Sequence, residues 1–167
     1  MPATNDFIAA NQSYAKNFSK GGQPIPPAKK VAVVACMDAR IETGRLLGLE
    51  EGDAHVIRNA GGVVTDDVIR SLAISQRLLG TEEIVLIHHT DCGMLTFKDD
   101  DVKDQIEEDT GVRPPFALEA FSDLSDDIRQ SIRRIRASLF VLNKDNIRGF
   151  VYDVESGRLN EVTDQEP

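Results

Sequence analysis

Val31-Ala32-Val33-Val34-Ala35-Cys36-Met37-Asp38-Ala39-Arg40 is the stretch on which the fold turns. Its first five residues are all apolar, with no polar residue alternating between them. A run this short and continuous reads as a strand buried on both faces, the habit of a parallel sheet. The strand ends on a thiol, and an acid and a base follow within four residues. Downstream, Glu83-Ile84-Val85-Leu86-Ile87-His88 reads as another such strand, and its end delivers His89 and Cys92. Between the two lie a short helix marked by Leu46, Leu47 and Leu49, a strand over 54–58, and a helix beginning at Thr65. The Thr65 hydroxyl can cap that helix, and Asp66 and Asp67 occupy its first turn, where the helix dipole favours carboxylates. Val68, Ile69, Leu72, Ala73, Gln76 and Leu79 keep helical spacing as far as Gly80.

Strand, helix, strand, helix, strand predicts an α/β fold with a mostly parallel central sheet flanked by helices. Further along, the acidic residues 99–109 suggest a solvated helix. Ile128, Ile132, Ile135 and Leu139 suggest an amphipathic one, with Asp126 and Asp127 early and Arg133, Arg134 and Arg136 late. Residues 147–154 and 158–162 read as strands joined by a Glu-Ser-Gly turn. Upstream, Phe7, Ile8, Asn11, Tyr14, Ala15 and Phe18 fall at helical spacing, so a helix is expected over 5–19. The Gly/Pro-rich segment 21–30 that follows cannot continue it. The expected organisation is an N-terminal helical arm and tether over 1–28 and a single α/β domain over 29–167. The arm can dock on its own domain or reach a partner subunit.

The chain has 167 residues, enough for one core. Its net charge of -9 argues against nucleic acid, whose phosphates call for a basic surface. No apolar run approaches the roughly 20 residues of a membrane span, and residues 1–18 do not read as a secretory or transit signal, so the expected compartment is the cytoplasm. The two cysteines, Cys36 and Cys92, could form one disulfide. A reducing cytosol disfavours that and makes metal ligation the sharper reading.

Ligand sites in open α/β sheets form at the carboxyl ends of strands, so Cys36 converges with His89 and Cys92 if their strands are neighbours. Two thiolates and an imidazole with one open position form a catalytic zinc arrangement. Alone, a buried Cys is a small core hydrophobe and a His after a strand is hydrogen-bonded structure; the three together at strand ends point to a metal. His55, inside a strand, reads as structural. The Asp99-Asp100-Asp101 run lacks the spacing of a calcium loop, and no phosphate-binding glycine motif occurs.

Cys36-Met37-Asp38-Ala39-Arg40, Arg58-Asn59-Ala60-Gly61 and His89-Thr90-Asp91-Cys92-Gly93, in this order and spacing, resemble the β-class carbonic anhydrases, especially the short bacterial-type members. The likeness is close over 29–95 and looser to 162. It implies a carbonate dehydratase, a lyase that reversibly hydrates carbon dioxide to bicarbonate and a proton by zinc-bound hydroxide. It further implies one Zn2+ per chain on Cys36, His89 and Cys92, a catalytic dyad of Asp38 and Arg40, and a homodimer or homotetramer. Asp38 can pair with Arg40, or it can take the fourth zinc position in a closed state. Where many members carry Gly, this chain has His88, a rival ligand, but the H-x-x-C spacing to Cys92 selects His89. Gly61 either contacts substrate or only shapes the backbone. Two thiolates cancel the charge of the dication and weaken it as a Lewis acid, so activity is expected to rise toward alkaline pH. The alternatives are a carbon disulfide or carbonyl sulfide hydrolase on the same site, and a non-catalytic zinc-binding protein.

Overall fold

The strands β1 (Val31–Cys36), β2 (Ala54–Asn59), β3 (Glu83–His89), β4 (Ile147–Tyr152) and β5 (Leu159–Val162) form one sheet in the order β2-β1-β3-β4-β5. The computed structural model describes residues 2–163. The first four strands run parallel and only β5 is antiparallel to its neighbour, as the alternation of strands and helices predicts. β1 is an interior strand with β2 on one side and β3 on the other, and its residues 32–36 are all buried.

Successive residues of a strand point to opposite faces, and this divides the core in two. Ala32, Val34, Ile84 and Leu86 pack with Val68 and Leu72 of α3 (Asp66–Arg77) and with Ile128, Ile132 and Ile135 of α5 (Leu124–Ala137). Val33, Ala35 and Ile87 face the other way, against Leu46 and Leu47 of α2 (Thr43–Leu47) and against Tyr152 and Leu159. Burying each Val, Leu or Ile contributes about 1.5–3 kcal/mol, so β1 and β3 form the stiff centre on which the functional loops rest. The helix starts follow their sequence signals. The Thr65 hydroxyl accepts from the Val68 amide, and the Asp123 carboxylate accepts from Asp126.

Two expectations are corrected, and one residue proves more buried than its place suggests. Leu139 is not part of the α5 stripe: the helix ends at Ala137, Ser138 is extended, and Leu139 is 86% exposed. Asp127 holds its expected place in the first turn of α5 but, unlike Asp126, is not exposed. It is buried, on the sheet side of α5. The first helix, α1 (Thr4–Lys16), stops three residues short of the expected end and buries none of its residues in this chain. Among the described residues no helix is long and apolar enough to cross a membrane.

Candidate metal centre

Because β1 and β3 are parallel neighbours in register, Cys36 and His89 leave the sheet side by side. The turn after β3 then returns Cys92 to the same point. Ligand atoms of Cys36, His89 and Cys92 all lie within 4.8 Å of one another, and all three residues are buried. Both cysteines are free thiols. His89 Nδ1 lies 2.8 Å from the Thr90 carbonyl oxygen, which can only accept, so Nδ1 carries the proton and Nε2 presents its lone pair. That Nε2 is buried with no hydrogen-bond partner. A buried lone pair left unpaired is costly, and a metal ion between it and two sulfurs satisfies all three donors at once. The residues present therefore fit zinc. An apolar collar of Ile41, Met94, Leu46, Phe97, Phe121 and Tyr152 surrounds the two cysteines.

Strand alternation sends the adjacent histidines to opposite faces, and their contacts distinguish them. His88 points to the opposite face, where its Nε2 meets Asp127 Oδ2 at 2.6 Å and its ring stacks on Phe121 at 5.2 Å. It therefore braces β3 against α5, and the donor cluster does not include it.

Asp38 and Arg40 stand at the open side of the cluster. Arg40 Nε and Nη2 donate to the two Asp38 carboxylate oxygens at 2.9 and 2.8 Å, a bidentate pair, and the Arg40 amide adds a third bond at 2.8 Å. These bonds hold the Asp38 carboxyl well below the usual carboxylate range. Its Oδ2 is 3.7 Å from His89 Nε2, so the carboxylate sits between the guanidinium and the donor cluster. The two thiols are unlike. Burial raises the Cys36 thiol, but His89 and the main-chain amides of Asp38 and Gly61 outweigh burial and lower it. Burial pushes the Cys92 thiol up to about 11, helped by the charge of Cys36.

The Asn59–Gly62 turn lies against the site. Gly62 has a φ of 72°, and a Cβ there would fall 2.8 Å from the Cys36 amide nitrogen and 3.0 Å from the Ile87 oxygen. Only glycine lets this turn approach both strand ends so closely. At Gly61, with φ 79°, a Cβ would press on Met94 and Phe121 at 3.0 Å each.

Sequence reasoning assigned no role to two residues that frame the site. Arg58 donates to the Cys36 carbonyl at 3.0 and 2.9 Å and to the Asp38 carbonyl at 2.7 Å, pinning the ligand loop from β2. Its place in the Arg58–Gly61 motif was the available signal. Asp91 accepts from Arg40, and nothing local to it announces that contact. His55 is structural as expected, bonded at 2.7 Å to Ser75.

A family model described as "Carbonic anhydrase" matches residues 31–114. β-Carbonic anhydrase 1 of Mycobacterium tuberculosis is 61% identical over 163 residues, spanning 98% of this chain and 99% of that protein. Among solved structures, carbonic anhydrase from Streptococcus mutans superposes with a TM-score of 0.91 at 43% identity, covering 98% of this chain and 99% of that one. A carbon disulfide hydrolase of Saccharolobus solfataricus is 42% identical over 98 residues, only 59% of this chain and 47% of that protein.

Proposed function

This chain belongs to the β-class carbonic anhydrase family, and from that premise we propose how its residues divide the work. It is a zinc-dependent lyase that interconverts carbon dioxide with bicarbonate and a proton. Cys36, His89 and Cys92 are the residues that hold the zinc, and the buried, unpaired His89 Nε2 facing two thiols is the observation that carries this assignment. Zinc held there supplies the Lewis acidity that activates water for attack on carbon dioxide.

Asp38 is an acceptor-only carboxylate kept ionised by Arg40, placed to take a hydrogen bond from the attacking water and aim its lone pair at the substrate carbon. Arg40 draws Asp38 away from the donor cluster. If that pair breaks, Asp38, whose Oδ2 is already 3.7 Å from His89 Nε2, is near enough to turn onto the donor cluster and close the site. Gly61 meets the substrate through its main chain, since a Cβ there would press on Met94 and Phe121 of the apolar collar. The apolar collar suits an uncharged, linear substrate and limits stray water.

The carbon disulfide reading is disfavoured, because identity to such hydrolases is lower, 33% where the match spans 81% of this chain, against 61% over 98% for the carbonic anhydrase. A reducing compartment, the cytoplasm, fits a site that needs two unoxidised thiols. A homodimer, or a tetramer built from dimers, fits the apolar side chains that α1 leaves uncovered.

Stopped-flow carbon dioxide hydration by the zinc-loaded protein at about pH 8.5 tests the reading. Rapid turnover is expected. A protein with full zinc occupancy and no turnover would remove the assignment and return the search to other linear heteroallenes.

A further inference from the structure

Arg40 has five N–H groups, and only two of its side-chain bonds go to Asp38. Nη1 donates to Asp91 Oδ2 at 2.7 Å, and Nη2 donates to the Asp91 main-chain oxygen at 3.0 Å. Asp91 lies between the ligands His89 and Cys92, fifty-one residues along the chain from Arg40. One guanidinium thus ties the loop after β1 to the loop after β3. Asp91 also holds a left-handed backbone, φ 56°, which Asp and Asn tolerate better than other side-chain-bearing residues.

The side chain of Asp91 is 78% exposed, so its ion pair is well screened and adds little to overall stability. Its effect is positional. An Arg40 bonded to Asp38 alone could follow that carboxylate wherever it went. An Arg40 fixed on its far side to Asp91 stays in place whether Asp38 is bonded or not. We propose that Asp91 is a positioning residue for the reaction, anchoring the Arg40 guanidinium so that Asp38 rests on Arg40 and not on the metal. This rests on the carbonic anhydrase reading for its consequence in turnover, but its geometry can be read without turnover.

The test uses the full chain with cobalt(II) in place of zinc, whose visible absorption reports the ligand set. Asp91→Gly keeps the left-handed backbone and deletes the carboxylate. Asp91→Asn keeps the shape and removes the charge. Both should retain one metal per chain. Asp91→Gly should lose about tenfold in kcat/KM in the zinc enzyme, with Asp91→Asn losing less. The cobalt bands of Asp91→Gly should shift as Asp38 joins the metal, and in an Asp38→Ala background the same substitution should leave them unmoved. Unchanged bands and turnover in Asp91→Gly would overturn the proposal. A shift that persists in the Asp38→Ala background would overturn it too, since Asp91 would then act on its own loop. A wild-type protein without turnover whose cobalt bands still respond through Asp38 would fail the enzyme reading and leave the anchor standing.

Discussion

Arg40 bonds both Asp38 and Asp91 and so joins the two loops that carry the donor cluster. It is the partner that keeps Asp38 ionised and off the cluster. Arg40→Ala is therefore expected to retain zinc while losing about a hundredfold or more in turnover, because Asp38 is freed to close the site. Metal analysis and stopped-flow hydration on one preparation check this, and a variant that kept its turnover would show that Arg40 is not the gate. The donor triad was legible because each member sits at the end of an apolar strand or in the short H-x-x-C turn that follows. Asp91 and Arg58 were not. Their contacts to Arg40, Cys36 and Asp38 exist only because β1 lies between β2 and β3, and a linear reading of strands does not give their order. His88 was set aside as a ligand by the H-x-x-C spacing, but its partner Asp127 was read only as an early acid of its helix. The first-turn rule that describes Asp126 does not say which way the next side chain faces.

At the scale of elements, α5 sits hard on β4. A Cβ at Gly149 would fall 2.1 Å from Ile128 Cγ2 and 3.4 Å from Ile132 Cδ1. Gly149→Ala should cost about 1–3 kcal/mol through overpacking, seen as a lower urea midpoint with an unchanged slope and normal zinc content. An unaltered midpoint would mean that the α5–β4 contact is looser than these distances imply. The start of α4 (Asp99–Thr110) behaves differently from the solvated helix its acidity suggests. Burial would raise the Asp99 carboxyl, but the amides of Ala120, Leu118 and Glu119 all donate to it at 2.8–3.1 Å and lower it overall. A carboxyl lower in the folded than in the unfolded state stabilises above the unfolded value, near 3.9, and loses that contribution as pH falls through the folded one. Asp99→Ala should cost about 1–2 kcal/mol at pH 7, and the difference from wild type should narrow as denaturation is measured at progressively lower pH below 4. A difference that stayed constant down to pH 2 would mean that the carboxylate is not what holds the 118–120 loop. Strands and helix starts were legible here because short apolar runs and capping residues are local. The loop that Asp99 holds was not, since its partners lie about twenty residues away.

On the whole molecule, α1 and the segment after it leave apolar side chains uncovered. Phe7, Ile8, Tyr14 and Phe18 are 67, 55, 50 and 49% exposed, and Ile25 on the tether is 80% exposed. Sequence periodicity identified the helix but not its neighbour, since a stripe of apolar residues records a need for cover without saying which chain meets it. Within this chain, α1 and the segment after it are held by polar contacts. Tyr14 donates to Glu51 at 2.6 Å, Lys20 pairs with Glu50 at 3.1 Å, and Gln23 donates to the Glu51 carbonyl at 2.8 Å. Such exposed bonds orient an element but contribute little to keeping it folded against water. A fully exposed aromatic side chain offers about 150–250 Å² for burial, so these half-exposed aromatics and the two isoleucines supply an apolar centre for an interface, part of the roughly 800 Å² that each partner gives to a stable one. A second copy of the chain, presenting the same surface under twofold symmetry, is the economical cover. Deleting residues 2–22 should leave the sheet and its zinc intact, because no residue of α1 is buried in the domain, while sedimentation shifts from a dimer or larger species toward monomer. An unchanged oligomer would place the interface elsewhere and leave α1 without a role in assembly. A deletion that unfolded the domain would mean instead that the polar contacts to Glu50 and Glu51 hold more of the fold than their exposure suggests.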